Sequence, residues 1–126
     1  MSKICAIADL GTNTFQLLIS PLDHFQVLEH LQRPVGLGMG AMEQVVLQED
    51  AMDRALVALH EFVSLFLSKG GDIRDFYAIG TSILRRASNA RAFIERVKEE
   101  LGVSILVIDG IQEAEYIYAG DRKSVV

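Results

Sequence analysis

The sequence predicts an α/β domain with a mixed sheet, whose elements follow the order β-β-β-α-β-α-β-α. Three observations support this prediction. A continuous apolar run at residues 4–8 opens the chain, one long segment repeats apolar residues with a helical period, and short apolar runs alternate with helical segments in the second half. Unbroken apolar runs are typical of strands buried on both faces. Their alternation with helices indicates a sheet layered against helices.

The first half of the chain is predicted to open with a β-meander. The strand at residues 4–8 is followed by strands at residues 15–20 and 25–31, and Pro21 and Asp23 interrupt the apolar pattern between the second and third. Glycines at positions 36, 38 and 40 then predict an irregular, mobile loop over residues 33–44, and a loop of this kind in a compact domain is usually functional or disordered.

The second half is predicted to be mainly helical, with two short buried strands. Apolar residues at helical spacing from Met52 to Leu67 predict the longest helix, which Gly70 ends in a left-handed conformation. A strand at residues 76–79 precedes a helical stretch that breaks near Asn89, a good N-cap for a second helix ending at Gly102. A strand at residues 104–108 and a helix at residues 111–119 complete the order.

Composition and charge limit the possible partners. The chain has 126 residues, enough for one domain, and half of them are hydrophobic. Its net charge of −5 argues against a nucleic-acid or anionic-membrane partner. Any anion site must therefore be built locally, from backbone N–H groups and a few cationic side chains. The single cysteine, Cys5, excludes an internal disulfide and a multi-cysteine metal site. With neither a membrane-length apolar run nor a signal peptide, the predicted location is the cytoplasm.

The first candidate site is the turn that follows the first strand, Gly11-Thr12-Asn13-Thr14. Glycine and asparagine can adopt positive φ, so that successive N–H groups point the same way and hold an anion. The threonines add hydroxyl donors, and Asp9 at the end of the strand is suited to hold Mg²⁺ directly or through water. An ordinary hairpin turn has the same composition, and residues 9–14 alone do not separate the two interpretations.

The second candidate is the junction at Gly80-Thr81-Ser82, where a strand runs into a helix. Free N–H groups at a helix start favour anions, and Arg85 or Arg86 could hold a phosphate through two hydrogen bonds. An N-cap followed by solvated arginines is the plainer interpretation of this segment.

The third candidate is Glu113, which lies just beyond the last predicted strand, where sheets of this class place their ligands. It could act as a general base on water. An acidic residue in a first helical turn also simply complements the helix dipole, and this segment alone favours that interpretation.

Together, in this order and spacing, the three segments resemble the N-terminal domain of the exopolyphosphatase / guanosine pentaphosphate phosphohydrolase family. Residues 8–19 (ADLGTNTFQLLI) look like its first phosphate loop, residues 80–89 (GTSILRRASN) like its second signature, and residues 109–120 (DGIQEAEYIYAG) like its third. The resemblance runs the full length of the chain. It implies an actin-like ATPase, ribonuclease-H-like fold.

The resemblance also implies an activity and roles for individual residues. The reaction is release of terminal phosphate from polyphosphate, or of the 5′-phosphate of guanosine pentaphosphate, in a cleft between two domains. Glu113 would activate water, Mg²⁺ or another divalent cation bound at Asp9 would neutralise charge, and the turn at residues 11–14 with Arg85 would hold phosphate oxygens. Such electrostatic positioning is what phosphoryl transfer chiefly needs from a protein. The full-length protein would be a homodimer.

The sequence also departs from the family pattern. Gln112 and Glu115 stand where members often carry an acid and a base, so metal affinity and substrate choice are open. The family's glycine-rich second phosphate loop and its partner domain are absent from residues 1–126, so the chain is expected to be a partial N-terminal phosphatase-family domain, inactive by itself. The alternatives are a regulatory module that binds polyphosphate or a guanosine alarmone without turnover, and a relative of the sugar and acetate kinases.

Overall fold

The computed structural model describes residues 3–38 and 45–109. They form a five-stranded sheet with helices and one short 3-10 turn. In chain order the elements are β1 Ile4–Leu10, β2 Thr14–Pro21, β3 Glu29–Pro34, α1 Glu49–Ser68, the 3-10 turn Ile73–Asp75, β4 Phe76–Gly80, α2 Ser82–Arg86, α3 Ala90–Leu101 and β5 Ile105–Val107. The predicted helix at residues 111–119 lies outside the described residues.

The sheet is mixed, as the sequence predicts. Its strand order is β3-β2-β1-β4-β5, with β1 in the centre. β2 pairs antiparallel with β1 and β3, while β4 runs parallel to β1 and β5. In register, Leu10 lies beside Gly80, and Gly80 beside Val107. The carboxyl ends of the three parallel strands therefore meet at one edge of the sheet.

The core lies between one face of the sheet and the helices. On β1, the side chains of Ala6, Ala8 and Leu10 are fully buried, and the intervening side chains, including that of Asp9, face the other side. The largest side chains of this core are fully buried phenylalanines, at positions 15, 62, 66 and 93. Burying a side chain of this size contributes about 1.5–3 kcal/mol relative to leaving it exposed.

Helix α1 follows the predicted pattern and ends as predicted. Gly70 has a φ of 90°, its N–H donates to the carbonyl of Leu67, and the N–H of Gly71 donates to that of Phe66, both at 3.0 Å. These two bonds satisfy carbonyls that the helix end would otherwise leave unpaired.

The third strand lies further along the chain than predicted, because a local network bends the preceding residues. The hydroxyl of Ser20 donates to the carbonyls of Pro21 and His24, and accepts the N–H of Gln26 at 3.1 Å. Residues 25–28 are therefore outside the sheet, and β3 begins at Glu29 and runs to Pro34.

The predicted irregular loop at residues 33–44 is wrong for Arg33 and Pro34, which belong to β3, whereas residues 35–38 have no regular secondary structure, as predicted. Pro34 still belongs to β3, Leu37 is fully buried, and Val35 is only 4% exposed. Residues 35–38, called the 35–38 segment below, pack against the core instead of extending into solvent. Residues 39–44 lie outside the described residues.

Candidate anion site at the carboxyl edge of the sheet

The three sequence candidates follow strands that end at the same edge. The turn at residues 11–14 follows β1, the Thr81-Ser82 junction follows β4, and Asp109 comes shortly after β5. The N–H of Ile108 donates to the carbonyl of Gly80 at 3.0 Å, which holds the ends of β4 and β5 together. Ligands of open α/β sheets bind beyond the carboxyl ends of the strands, so this edge is the candidate site. Glu113 lies outside the described residues.

The turn at residues 11–14 is held by its carbonyl groups. The carbonyl of Thr12 accepts the N–H of Gly38 at 3.0 Å, and that of Asn13 accepts the N–H groups of Val35 and Gly36, both at 2.9 Å. In a trans peptide the C=O and the following N–H point in opposite directions, and no described peptide is cis. The N–H groups of Asn13 and Thr14 therefore point away from the 35–38 segment.

The backbone of this turn differs in one respect from the sequence expectation. Neither Gly11 nor Asn13 has a positive φ; the described residues with positive φ are Gly36, Gly70 and Gly102. Glycine is needed at position 11 for space instead, since a Cβ there would lie 2.8 Å from the carbonyl oxygen of Thr14. The orientation of the N–H groups thus comes from the hydrogen-bonded carbonyls and not from left-handed residues.

Asp9 is exposed on the sheet face opposite the core, between Gln16 of β2 and Ile79 of β4. Within residues 3–38 and 45–109, no group of three or more His, Cys, Asp or Glu side chains could hold a metal ion. Mg²⁺ commonly uses only one or two carboxylates, with waters and substrate phosphates completing its octahedron. An exposed carboxylate near the end of β1, just before the turn at residues 11–14, fits that mode of binding.

The β4–α2 junction lies next to the turn. A Cβ at position 38 would lie 2.6 Å from Cγ2 of Thr12 and 3.3 Å from Cδ1 of Ile83, so Gly38 packs between the turn and α2. Thr81 is only 8% exposed, and its side chain makes no capping bond to α2. Arg85 is exposed and donates from Nη1 to the carbonyl of Ile108 at 2.7 Å, which places its guanidinium at the carboxyl edge.

Two further contacts near the edge are not predicted by the sequence. Asn89 precedes α3 as predicted, but its side chain does not cap the helix. Its amide accepts the N–H of Leu47 at 2.8 Å and donates to the carbonyl of Leu47 at 3.0 Å. Arg54 of α1 donates to the carbonyls of Val35 and Gly36. Both contacts join residues far apart in sequence, and no pattern among neighbouring residues predicts either of them.

One pair of ionisable groups with shifted pKa values, Asp72 and Arg74, lies away from this edge. Arg74 donates to Asp72 from its side chain and backbone and lowers the pKa of that carboxyl to about 2. Both residues precede β4 and so lie near the opposite edge of the sheet.

Comparison with known proteins identifies the family. The model of the Ppx/GppA phosphatase family matches residues 19–125. The chain belongs to this family. A guanosine-5′-triphosphate,3′-diphosphate pyrophosphatase of Aliivibrio fischeri is 36% identical over 126 residues, which is 95% of this chain and 24% of that protein. The chain thus spans about a quarter of the length of that relative.

Solved structures of Ppx/GppA proteins have the same fold. An exopolyphosphatase from Cytophaga hutchinsonii superimposes with a TM-score of 0.83 and 37% identity, over 90% of this chain and 36% of that one. The Aquifex aeolicus member of the Ppx/GppA family gives a TM-score of 0.84 and 30% identity, over 94% of this chain and 39% of that one. The predicted actin-like ATPase fold is thereby confirmed. None of the helices in the described residues is long and apolar enough to cross a membrane.

Proposed function

We propose that this chain is the N-terminal half-site of a phosphoanhydride hydrolase. Its substrate would be inorganic polyphosphate, from which it releases terminal phosphate, or guanosine pentaphosphate, from which it removes the 5′-phosphate. The main support is the turn at residues 11–14, in which the N–H groups of Asn13 and Thr14 are directed away from the 35–38 segment, together with Asp9 and Arg85 at the same edge of the sheet. The names of the relatives, a pyrophosphatase and an exopolyphosphatase, point to the same chemistry.

In this proposal the chain binds and orients phosphate by charge and hydrogen bonding. The N–H groups of Asn13 and Thr14, the hydroxyl groups of Thr12 and Thr14, and the guanidinium of Arg85 would donate to phosphate oxygens. Asp9 would hold Mg²⁺ or another divalent cation, which supplies positive charge against the phosphoryl oxygens.

Hydrolysis then requires a base and a water molecule. Glu113 would take a proton from water as the water oxygen forms a bond to the terminal phosphorus. The bond from that phosphorus to the bridging oxygen breaks, and the shortened chain leaves with the electron pair. In this proposal the described residues would supply the binding half of the scheme. The remainder of the cleft, the cytoplasmic location and the dimer of the full-length protein remain predictions.

The binding step can be tested on this chain by amide chemical-shift titration with inorganic tripolyphosphate and Mg²⁺. We expect the N–H signals of Asn13 and Thr14 to shift and to saturate, and we expect Thr12→Val, which keeps the shape of the side chain but lacks its hydroxyl, to bind more weakly. A matched titration with sodium chloride controls for ionic strength. Tripolyphosphate that leaves these two signals unmoved would refute the proposed site.

The chemical step can be tested in a chimera, in which residues 1–126 replace the matching segment of the Aliivibrio fischeri relative. Glu113→Gln should lower phosphate release by about 10²–10⁴-fold, the usual contribution of a general base, and should leave tripolyphosphate binding intact. Glu95→Gln is the matched control, because Glu95 is an exposed residue of α3 that pairs with Arg91. Binding without any phosphate release in the parent chimera would favour the regulatory module instead.

A further inference from the structure

A side chain of α1 holds the 35–38 segment from the side opposite the turn. Arg54 donates from Nε to the carbonyl of Val35 at 2.8 Å and from Nη2 to the carbonyl of Gly36 at 3.2 Å. Its Nη1 donates to Oδ2 of Asp50 at 3.2 Å, one turn earlier in α1. The planar guanidinium presents its donors in a fixed fork, which suits it to bridging two neighbouring carbonyls.

The two residues that Arg54 holds are the same two that hold the turn. The N–H groups of Val35 and Gly36 both donate to the carbonyl of Asn13 at 2.9 Å. Gly36 has a φ of 63°, a left-handed conformation that glycine adopts without steric cost. A continuous set of hydrogen bonds therefore runs from the Arg54 guanidinium, through Val35 and Gly36, to the peptide that carries the N–H of Thr14.

We infer that Arg54 is a positioning residue for the anion site, and this inference rests on the proposed function. By fixing the carbonyl of Val35, Arg54 sets the direction of the Gly36 N–H, which belongs to the same peptide, and thus of the Asn13 carbonyl that this N–H holds. The N–H of Thr14 belongs to the same peptide as that carbonyl and is directed toward the phosphate position. Arg54 contacts the carbonyls of the 35–38 segment, whose N–H groups hold the turn, and in this inference it acts on phosphate through the turn.

A purely structural role would tie the 35–38 segment to α1 without affecting the ligand. The positioning role and the purely structural role differ in whether phosphate binding at the turn changes the hydrogen exchange of the 35–38 segment. If Arg54 orients the turn, binding at the turn and hydrogen bonding within the 35–38 segment are linked, and the linkage is reciprocal. Tripolyphosphate should then slow the amide hydrogen exchange of Val35 and Gly36, whose N–H groups donate to the Asn13 carbonyl and do not contact the ligand.

The test combines this exchange measurement with two variants of the 126-residue chain. Arg54→Lys keeps the positive charge but removes the planar fork that donates to the two carbonyls from two separate nitrogens. Asp50→Asn removes the ion pair and leaves both carbonyl contacts in place. We expect Arg54→Lys to speed the exchange of Val35 and Gly36 and to raise the Kd for tripolyphosphate about ten-fold, the change that corresponds to one lost hydrogen bond. We expect Asp50→Asn to bind as the wild type does.

The outcomes separate this inference from the function on which it rests. Wild-type protein that binds tripolyphosphate with no change in the exchange of Val35 and Gly36 would overturn the positioning role, and this measurement needs no variant to fold. Arg54→Lys with a Kd within two-fold of wild type would overturn it as well. A wild-type chain in which tripolyphosphate moves no signal of the turn would overturn the proposed function itself.

Discussion

The amide of Asn89 connects the start of α1 to the junction between α2 and α3, and replacing it should measure that connection. Asn89 exchanges two hydrogen bonds with the backbone of Leu47, and the N–H of the neighbouring Ser88 donates to the carbonyl of Val45 at 2.9 Å. Each side-chain hydrogen bond contributes about 0.5–1.5 kcal/mol net, so the amide contributes about 1–3 kcal/mol to the free energy of unfolding.

The choice of replacement separates this role from helix capping. If Asn89 capped α3, serine and aspartate would substitute well, since both are good N-cap residues. The side chain introduced by Asn89→Ser would be too short to reach the backbone of Leu47. Asn89→Asp would replace the amide N–H donor by a second acceptor that faces the Leu47 carbonyl. We therefore expect Asn89→Ala, Asn89→Ser and Asn89→Asp each to lower the free energy of unfolding by about 1–3 kcal/mol.

Urea unfolding of the chain, followed by circular dichroism at a helix-sensitive wavelength, measures these differences. With a urea dependence of about 1–3 kcal/mol per molar, the loss should lower the midpoint by about 1 M. Ser88→Ala is the control, because its exposed hydroxyl is removed while the backbone bond to Val45 remains. Serine and aspartate variants as stable as the wild type, together with a destabilised alanine variant, would refute the proposed connection and support capping.

Two further predictions concern the anion site and the response to acid. Gly38→Ala brings a methyl group 2.6 Å from Cγ2 of Thr12. We expect the β-branched side chain of Thr12 to change rotamer in response. Tripolyphosphate binding should then weaken several-fold in a chemical-shift titration, while the midpoint of urea unfolding changes little. Asp72 has its pKa lowered from 3.8 to about 2 by Arg74, so its stabilising contribution is complete above pH 4 and is lost as the pH falls toward 2. Asp72→Asn should therefore be less stable than wild type at pH 6 and converge with it near pH 2 in urea unfolding; a constant difference between those pH values would contradict the assignment.

Elements set by local periodicity could be predicted from the sequence. The apolar repeat from Met52 to Leu67 predicts α1, and Gly70 predicts its end, because helix burial and capping depend on residues a few positions apart. The central strand is predicted from its unbroken apolar run.

Features set by distant contacts could not be predicted. The glycines at 36 and 38 are typical of a mobile loop, but the buried side chain of Leu37 and backbone bonds to Thr12 and Asn13 hold that segment in place. Likewise, Asn89 has the local signature of an N-cap, and only the fold brings Leu47 within its reach. Hydrogen bonds across more than twenty residues leave no pattern in a single sequence.

The position of β1 in the sheet has a consequence for how the domain assembles. β1 is the first strand in the chain and the central strand of the sheet, and it acquires its two neighbours at very different sequence distances. β2 follows β1 after a short turn, so pairing these two strands costs little chain entropy. β4 follows only after β3 and α1, so pairing it with β1 closes a much longer loop and costs more. During synthesis, the strand that carries Asp9 is thus made before both of its neighbours and gains the second of them only with β4. The candidate site needs still more of the chain, because Arg85 and the Ile108 carbonyl that it contacts both follow β4.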